Sequence, residues 1–227
     1  MDIPSHIGFI MDGNRRWARQ RNLPTLMGHK KGQEVLRELL HEVYARGVRY
    51  VSVYAFSTEN WSRESKEVGY LMKQVIKALE KYIDEFHDAG VKVAFLGRRS
   101  DLDESVRTAI ERAEAKTVDN TKAMLGICFN YGGQTELVDA YKKLIQQGID
   151  ADDITEERIA SHLYYPEMPP CDLIVRTSGE ERLSNFMLWR AAYSELLFVD
   201  KNWPDMTKQD VTDILEEYKR RNRRFGG

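Results

Sequence analysis

His6-Ile7-Gly8-Phe9-Ile10-Met11-Asp12-Gly13-Asn14-Arg15-Arg16-Trp17 begins as a short apolar run and breaks abruptly into a carboxylate, a glycine, an amide and two guanidinium groups. A β-rich run bounded by Asp-Gly-Asn reads as a buried strand ending in a turn. By itself such a turn signifies nothing further. The same juxtaposition recurs, however: Val51 to Phe56 runs into Ser57-Thr58-Glu59-Asn60-Trp61-Ser62-Arg63, and Leu173 to Val175 into Arg176-Thr177-Ser178-Gly179-Glu180-Glu181-Arg182. In open α/β sheets the carboxyl ends of the strands meet at one edge, so the three polar segments are predicted to converge on one site.

Working outward, strands are predicted at 6–11, 49–56, 91–96, 123–130, 172–176 and 195–199. Between them, Val35, Leu36, Leu39, Leu40, Val43 and Tyr44 fall at helical spacing, with Gly47 as a stop. A longer stripe, from Val68 through Leu71, Met72, Val75, Ile76, Leu79, Tyr82 and Ile83 to Phe86, ends before Gly90. It has two readings: a helix buried against the sheet, or one wall of an apolar ligand cavity. Further helices are expected at 102–116, 134–147, 155–163 and 208–221, the last capped by Thr207 after Pro204. Strands alternating with helices give the expected fold class: α/β, one domain over 1–227, with a central, mostly parallel sheet of about six strands flanked by helices.

Composition narrows the function. The 227 residues carry a net charge of −2, which provides no general field for nucleic acid or anionic lipid, so polyanion chemistry must come from local Arg and Lys clusters. The basic run Lys219-Arg220-Arg221-Asn222-Arg223-Arg224 lacks interleaved aromatics, and nucleic acid is not an expected partner. Cys128 and Cys171 are far apart and read as core thiols rather than a disulfide or thiolate metal site. No apolar run approaches the roughly 20 residues of a membrane span, and the expected location is cytoplasmic, with peripheral membrane contact left open.

The polar segments have a common chemistry. Asp12 offers a hard oxygen ligand suited to Mg²⁺, Gly13 permits close backbone approach, and the amides that follow address an anion if they open a helix. Arg16, Arg63, Arg176 and Arg182 add planar donors that match phosphate oxygens, enough for two diphosphates.

At this point the ordered motifs resemble those of the cis-prenyltransferases, especially bacterial undecaprenyl diphosphate synthases. The resemblance runs through His6 to Trp17, Gly28-His29-Lys30-Lys31-Gly32, Tyr54 to Arg63, Asn130-Tyr131-Gly132-Gly133, Arg176 to Glu180, Arg182 to Trp189, Tyr193-Ser194-Glu195-Leu196 and Arg224-Phe225-Gly226, nearly the whole chain. It implies an enzyme that condenses isopentenyl diphosphate onto an allylic diphosphate primer, with farnesyl diphosphate the expected primer and an undecaprenyl-type lipid carrier of the cell wall the expected product. It further implies that Asp12 holds Mg²⁺ and promotes departure of a diphosphate bound by Gly13, Asn14, Arg15, Arg16 and His29, with Trp17 packed near the primer. Arg176, Arg182, Leu183 and Ser184 would bind isopentenyl diphosphate, Asn60 would assist proton removal, and Ser57, Thr58, Glu59, Trp61 and Arg63 would form a mobile segment around that step. Glu195 would complete the metal site, from a partner subunit if need be, and Arg224 and Gly226 would reach across a homodimer interface. The growing chain would occupy a tunnel in which Ala55 is small enough to allow a long product.

Four positions depart from the commonest bacterial pattern: Thr25 stands for an arginine, Arg15 for a glycine, Ser178 for a glycine and Glu181 for a histidine. Loss of the guanidinium at Thr25 removes roughly 1 to 3 kcal/mol of primer binding unless Arg15 compensates. The absence of DDxxD and of GxxxxGK[ST] argues against trans-prenyl synthases and P-loop enzymes. The rival of another class is a non-catalytic partner subunit that binds prenyl diphosphate, from which the Asp12 and Arg176 constellations would be expected to be lost.

Overall fold

The apolar runs pair into one parallel sheet in the order β3-β4-β2-β1-β5-β6. The strands are β1 (His6–Ile10), β2 (Tyr50–Ser57), β3 (Val91–Leu96), β4 (Ala123–Tyr131), β5 (Leu173–Thr177) and β6 (Glu195–Val199). The computed structural model describes residues 3–221. β1 and β5 are buried along their whole length, as expected of strands covered on both faces. Ile7 lies beside Val51 of β2 and Leu173 of β5, so β1 is the strand from which the chain turns first one way and then the other. That switch point is where open α/β sheets leave a crevice.

The helices are α1 (Asn14–Gln20), α2 (Thr25–Ala45), α3 (Ser65–Asp88), α4 (Glu104–Thr117), α5 (Gly133–Gln146), α6 (Glu156–Ala160) and α7 (Lys208–Arg220). One face of the sheet, through Ile7, Phe9, Val51, Val53, Leu125 and Val175, packs against Val35, Leu39 and Val43 of α2, Ile214 of α7 and Trp203. On the β3 side of that same face, Val93, Phe95 and Phe129 meet Val68, Met72 and Leu79 of α3 and Val106 and Ile110 of α4. The opposite face is covered by Met168, Cys171, Phe186 and Met187. Both cysteines are buried and free, with burial pushing the Cys171 thiol up to about 12.

Six parallel strands match the sequence expectation to within a residue or two at each end. Two helix boundaries differ. The segment before β2 divides into α1 and α2 at Pro24, which precedes the first turn of α2. The helix expected over 155–163 ends at Ala160; Thr155 caps it as a serine-type cap should, but His162 N already bonds Ile159 O in a tightened turn, and Pro166 follows too soon for another helix. Thr207 caps α7 in a reciprocal box with Asp210, and Gly47 ends α2 at φ 93°, as read from sequence.

Candidate active site

Three polar segments do meet where β1, β2 and β5 end. Asp12 follows β1 and Arg176 lies near the end of the neighbouring strand β5, so adjacency in the sheet is sufficient to join them: Arg176 Nη2 donates to Asp12 Oδ2 at 2.9 Å. The other carboxylate oxygen accepts the Gly13 amide at 2.7 Å. The Asp12 backbone carbonyl accepts Thr177 Oγ1 at 2.7 Å and Trp203 N at 3.0 Å, fixing the turn. Gly13 adopts φ 99°, and a Cβ there would lie 2.5 Å from Asn202 Oδ1 and 2.9 Å from Ser178 Oγ, so glycine is required twice over. α1 then starts at Asn14, and Gly28 lets it come close: a Cβ at that residue would sit 2.0 Å from the Asn14 carbonyl.

Arg176 is buried, its side chain only 4% exposed, while Asp12 is 41% exposed. Its Nη1 donates to Ser184 Oγ at 2.8 Å and to the Arg182 carbonyl, drawing the 182–184 loop over the strand end. Arg16 donates to the Ser178 carbonyl and to Glu180 Oε1, each at 2.7 Å, and Arg182 donates to Glu180 Oε2 at 2.5 Å. Glu180 therefore bridges the two arginines, and they hold its carboxyl below the usual range. Ser178, Ser184, Asn185 and Met187 all have positive φ, an unusual concentration of left-handed backbone in one loop region. Ser178, where glycine is commoner, offsets its φ of 76° with a 3.0 Å hydrogen bond to Asn202 Oδ1.

On the α2–α3 side, Met11 to Arg16, Arg19, His29 and Arg63 line an open cleft of about 360 Å³. Arg15, His29 and Arg63 gather at a carboxylate that the sequence reading passed over. Glu67 Oε1 accepts from Arg63 at 3.1 Å, lies 3.2 Å from His29 Nε2 and 4.0 Å from Arg15 Nε, and its side chain is 11% exposed. The i,i+4 spacing of Arg63 and Glu67 was the available signal. Burial lowers the His29 pKa, with Glu67 acting in the opposite direction. Thr25 opens α2 four residues before His29, so the two share a helix face.

Met11, Asn14 and His29 also line a second space, an apolar cavity of about 170 Å³ enclosed by α2, α3 and the sheet. Ala55, Val53 and Phe129 form its sheet wall, and Leu71, Val75, Leu79, Tyr82 and Phe86 its α3 wall. The long stripe divides: Val68, Met72 and Ile76 pack against α4 and the sheet, while the neighbouring line of α3 faces the cavity. Among the described residues, just two buried side-chain polar atoms have no hydrogen-bond partner, Arg176 Nε and Asn14 Oδ1, and both belong to this site. Buried polar atoms are nearly always paired, so their coincidence here marks unused binding capacity.

The segment after β2 folds as a 3₁₀ turn, Thr58–Ser62, in which Asn60 Oδ1 accepts the Ser57 amide at 3.2 Å. Glu59 accepts from Asn185 at 3.1 Å, and Trp61 donates to Asn130 Oδ1 at 2.7 Å while standing edge-on to Phe56. The turn is tied to β4 and to the 182–187 loop.

Two expected site residues lie elsewhere within the chain, and a third turns its side chain away from the site. Trp17 lines neither space; its indole donates to Asp205 at 2.7 Å and Arg21 covers its ring at 4.5 Å, because the helix face with Asn14 and Ala18 is the one turned to α2. Leu183 packs its side chain against the apolar cluster below the loop. Glu195 opens β6 at the opposite rim of the sheet, where it accepts from Arg221 at 3.1 Å. A five-residue strand is about 17 Å long, so Glu195 cannot join Asp12 within one chain. Among the described residues no cluster of three or more His, Cys, Asp or Glu side chains forms a metal cage. Glu181 is exposed, and Arg224 and Gly226 lie outside the described residues.

A cationic cleft leading into an apolar cavity at the switch point of a parallel sheet defines a protein that handles amphiphilic diphosphates. Residues 10–226 match the family model described as putative undecaprenyl diphosphate synthase, and the chain belongs to that family. It is 43% identical to the isoprenyl transferase of Thermotoga maritima, covering 100% of this chain and 98% of that protein, and 45% identical to that of Clostridium perfringens, covering 99% and 90%. Lavandulyl diphosphate synthase from Lavandula x intermedia, solved in complex with dimethylallyl diphosphate, superposes with a TM-score of 0.95 at 31% identity, covering 100% of this chain and 99% of that one. A probable undecaprenyl diphosphate synthase from Campylobacter jejuni gives 0.85 at 28%, with full coverage of both chains.

Proposed function

We propose that the protein is a cis-prenyltransferase that condenses isopentenyl diphosphate with an allylic diphosphate primer and houses the growing chain between α2 and α3. The observation that carries this reading is the shared wall of Met11, Asn14 and His29, which joins a polar cleft for a diphosphate head to an apolar cavity for its tail. Arg15, Arg16, Arg19, His29 and Arg63 supply the cleft's donors, Arg15 standing in for the guanidinium absent at Thr25. Arg176 would take the second diphosphate with Ser184 and Arg182, its unpaired Nε finding an acceptor in a phosphate oxygen. Asn60, held in its turn by Ser57, would orient the group that accepts the proton released when the new carbon bond forms.

The residues fit Mg²⁺. The ion is commonly held by one or two carboxylates with substrate phosphates and water filling the remaining positions, and Asp12 is a half-exposed carboxylate at the mouth of the cleft. Bound there, Mg²⁺ would neutralise charge developing on the departing diphosphate. Dimerisation is supported by the exposed stripe Val138, Tyr141 and Ile145 on α5 and by exposed Tyr193 beside the edge strand β6, so that Glu195 would act from a second copy or not at all. No helix among the described residues is long and apolar enough to cross a membrane, and contact with a bilayer would be peripheral. The intact Asp12–Arg176 pair favours catalysis over a purely binding subunit.

Purified protein incubated with Mg²⁺, isopentenyl diphosphate and allylic diphosphates of increasing length should release diphosphate and yield chain-extended products resolvable by chromatography. Primer binding without extension of any primer would establish the non-catalytic alternative instead.

A further inference from the structure

The apolar cavity has two thin walls. At its far end Leu40 and Phe86 separate it from a second hollow of about 280 Å³, and along its side Gln33, Gln74, Ala78 and Tyr82 separate it from a surface groove of about 370 Å³. Its α3 wall, from Leu71 to Phe86, is about 22 Å long. A chain that outgrows that length must displace one wall or the other.

The walls differ in how they are held. Leu40 is buried, and Phe86 packs against the apolar clusters on both sides of it, so opening the floor disrupts close-packed core. The side wall has no such packing: it is made of Ala78, of the Tyr82 ring and of Gln33, whose amide reaches the Gln74 carbonyl at 3.4 Å. Further along the same α2–α3 seam, between the groove and the floor, the two helices are joined by charge: Arg37 Nε donates to both Glu85 oxygens, at 3.0 and 2.8 Å, and His41 meets the same carboxylate. The guanidinium also lies 5.4 Å above the Tyr82 ring. Arg37 and Glu85 stabilise each other's charged forms, yet both are solvent-accessible, and exposed ion pairs are weak and screened by salt.

We propose that the α2–α3 seam is an expandable side wall of the cavity and that the Arg37–Glu85–His41 clasp across it limits the length of prenyl chain the cavity accepts. This rests on the prenyl-chain reading of the cavity given above. When the clasp parts, Lys30 and Lys77, which rim the outer groove, can lay their aliphatic stems over the widened seam while keeping their ammonium groups in water.

Two measurements on the full chain test it. In turnover with excess isopentenyl diphosphate, Arg37→Ala and Glu85→Ala should each shift the product distribution toward longer chains, the swapped pair Arg37→Glu with Glu85→Arg should restore the wild-type distribution, and added salt should shift the wild type in the same direction as the single variants. Unchanged lengths in both single variants, with lengthening in Phe86→Ala, would overturn the proposal in favour of the floor. In calorimetry with saturated alkyl phosphates, which undergo no condensation, Arg37→Ala should bind docosyl phosphate, whose extended chain is longer than the α3 wall, roughly threefold to tenfold more tightly and leave decyl phosphate unchanged. Equal effects on the two probes would also overturn it. Chain-selective tightening in a protein that extends no primer would sink the catalytic reading and leave the expandable wall standing.

Discussion

At the amino-terminal rim of the sheet, His6 is fully buried, yet each ring nitrogen has a partner: Nδ1 donates to the Pro169 carbonyl at 2.9 Å, and Nε2 accepts from Ser52 Oγ at 2.8 Å. At the carboxyl-terminal rim, Arg176 is nearly as buried, but its Nε has no partner, and nearby cations crowd around the carboxylates of Asp12, Glu180 and Glu67. One strand length therefore separates a closed polar network from an open one. Composition does not distinguish the two rims; unmet hydrogen-bonding capacity and uneven charge do.

The comparison breaks most sharply at Asp12. Asparagine there keeps an oxygen for Arg176 or the Gly13 amide and removes only the negative charge, so the turn should survive. If the open rim is catalytic, Asp12→Asn should lower incorporation of labelled isopentenyl diphosphate by about 10³-fold, the scale of losing charge stabilisation at a leaving group, with little change in melting temperature. Activity within tenfold of wild type would mean that the carboxylate is structural after all.

The closed rim should reveal itself in acid stability. Burial lowers the His6 pKa from 6.5 to about 4, so its contribution to stability is fully present above pH 6.5 and is lost as pH falls toward 4, where the unfolded chain binds a proton that the folded chain resists. On the order of 2–3 kcal/mol should disappear between pH 7 and 4.5 from this residue. Urea unfolding of His6→Gln, which is less stable at neutral pH, should show a correspondingly shallower pH dependence than wild type. Parallel slopes would mean that carboxylates alone account for the acid loss.

The rims were not equally legible in the sequence. Six strands, the convergence of three strand ends and the need for glycine after Asp12 follow from local pattern, because alternation of strand and helix fixes which ends meet. The Ser178 departure also explains itself once Asn202 is seen beside it, but no pattern links residues 24 positions apart. Trp17 stands away from both spaces for a related reason: its place in a motif gives its position in the chain, whereas its direction is set by which face of a seven-residue helix meets α2. Glu195 shows the same limit on a larger scale, since a motif gives residue type and order but not the rim on which a side chain ends. The apolar stripe of α3 supported two readings because a 24-residue helix is wide enough to serve both.

Glu67 is the subtlest test of the difference between the rims. It is an internal anion among the cations Arg15, Arg63 and, when protonated, His29, all three of which line the cleft assigned to the primer's diphosphate. If these cations are held for a ligand, Glu67 keeps them aligned until a stronger polyanion takes them over. Glu67→Gln preserves size and one acceptor but removes the competing charge, so the Michaelis constant for the allylic primer should fall by about fivefold at low salt, the equivalent of roughly 1 kcal/mol for a partly exposed pair. The gain should diminish as salt is added, because screening weakens the freed cations and their ligand alike. The constant for isopentenyl diphosphate, assigned to the Arg176 side, should move much less. A rise in the primer constant would reverse the assignment, showing that Glu67 positions His29 and Arg63 rather than competing for them, and the open rim would then contain one closed network of its own.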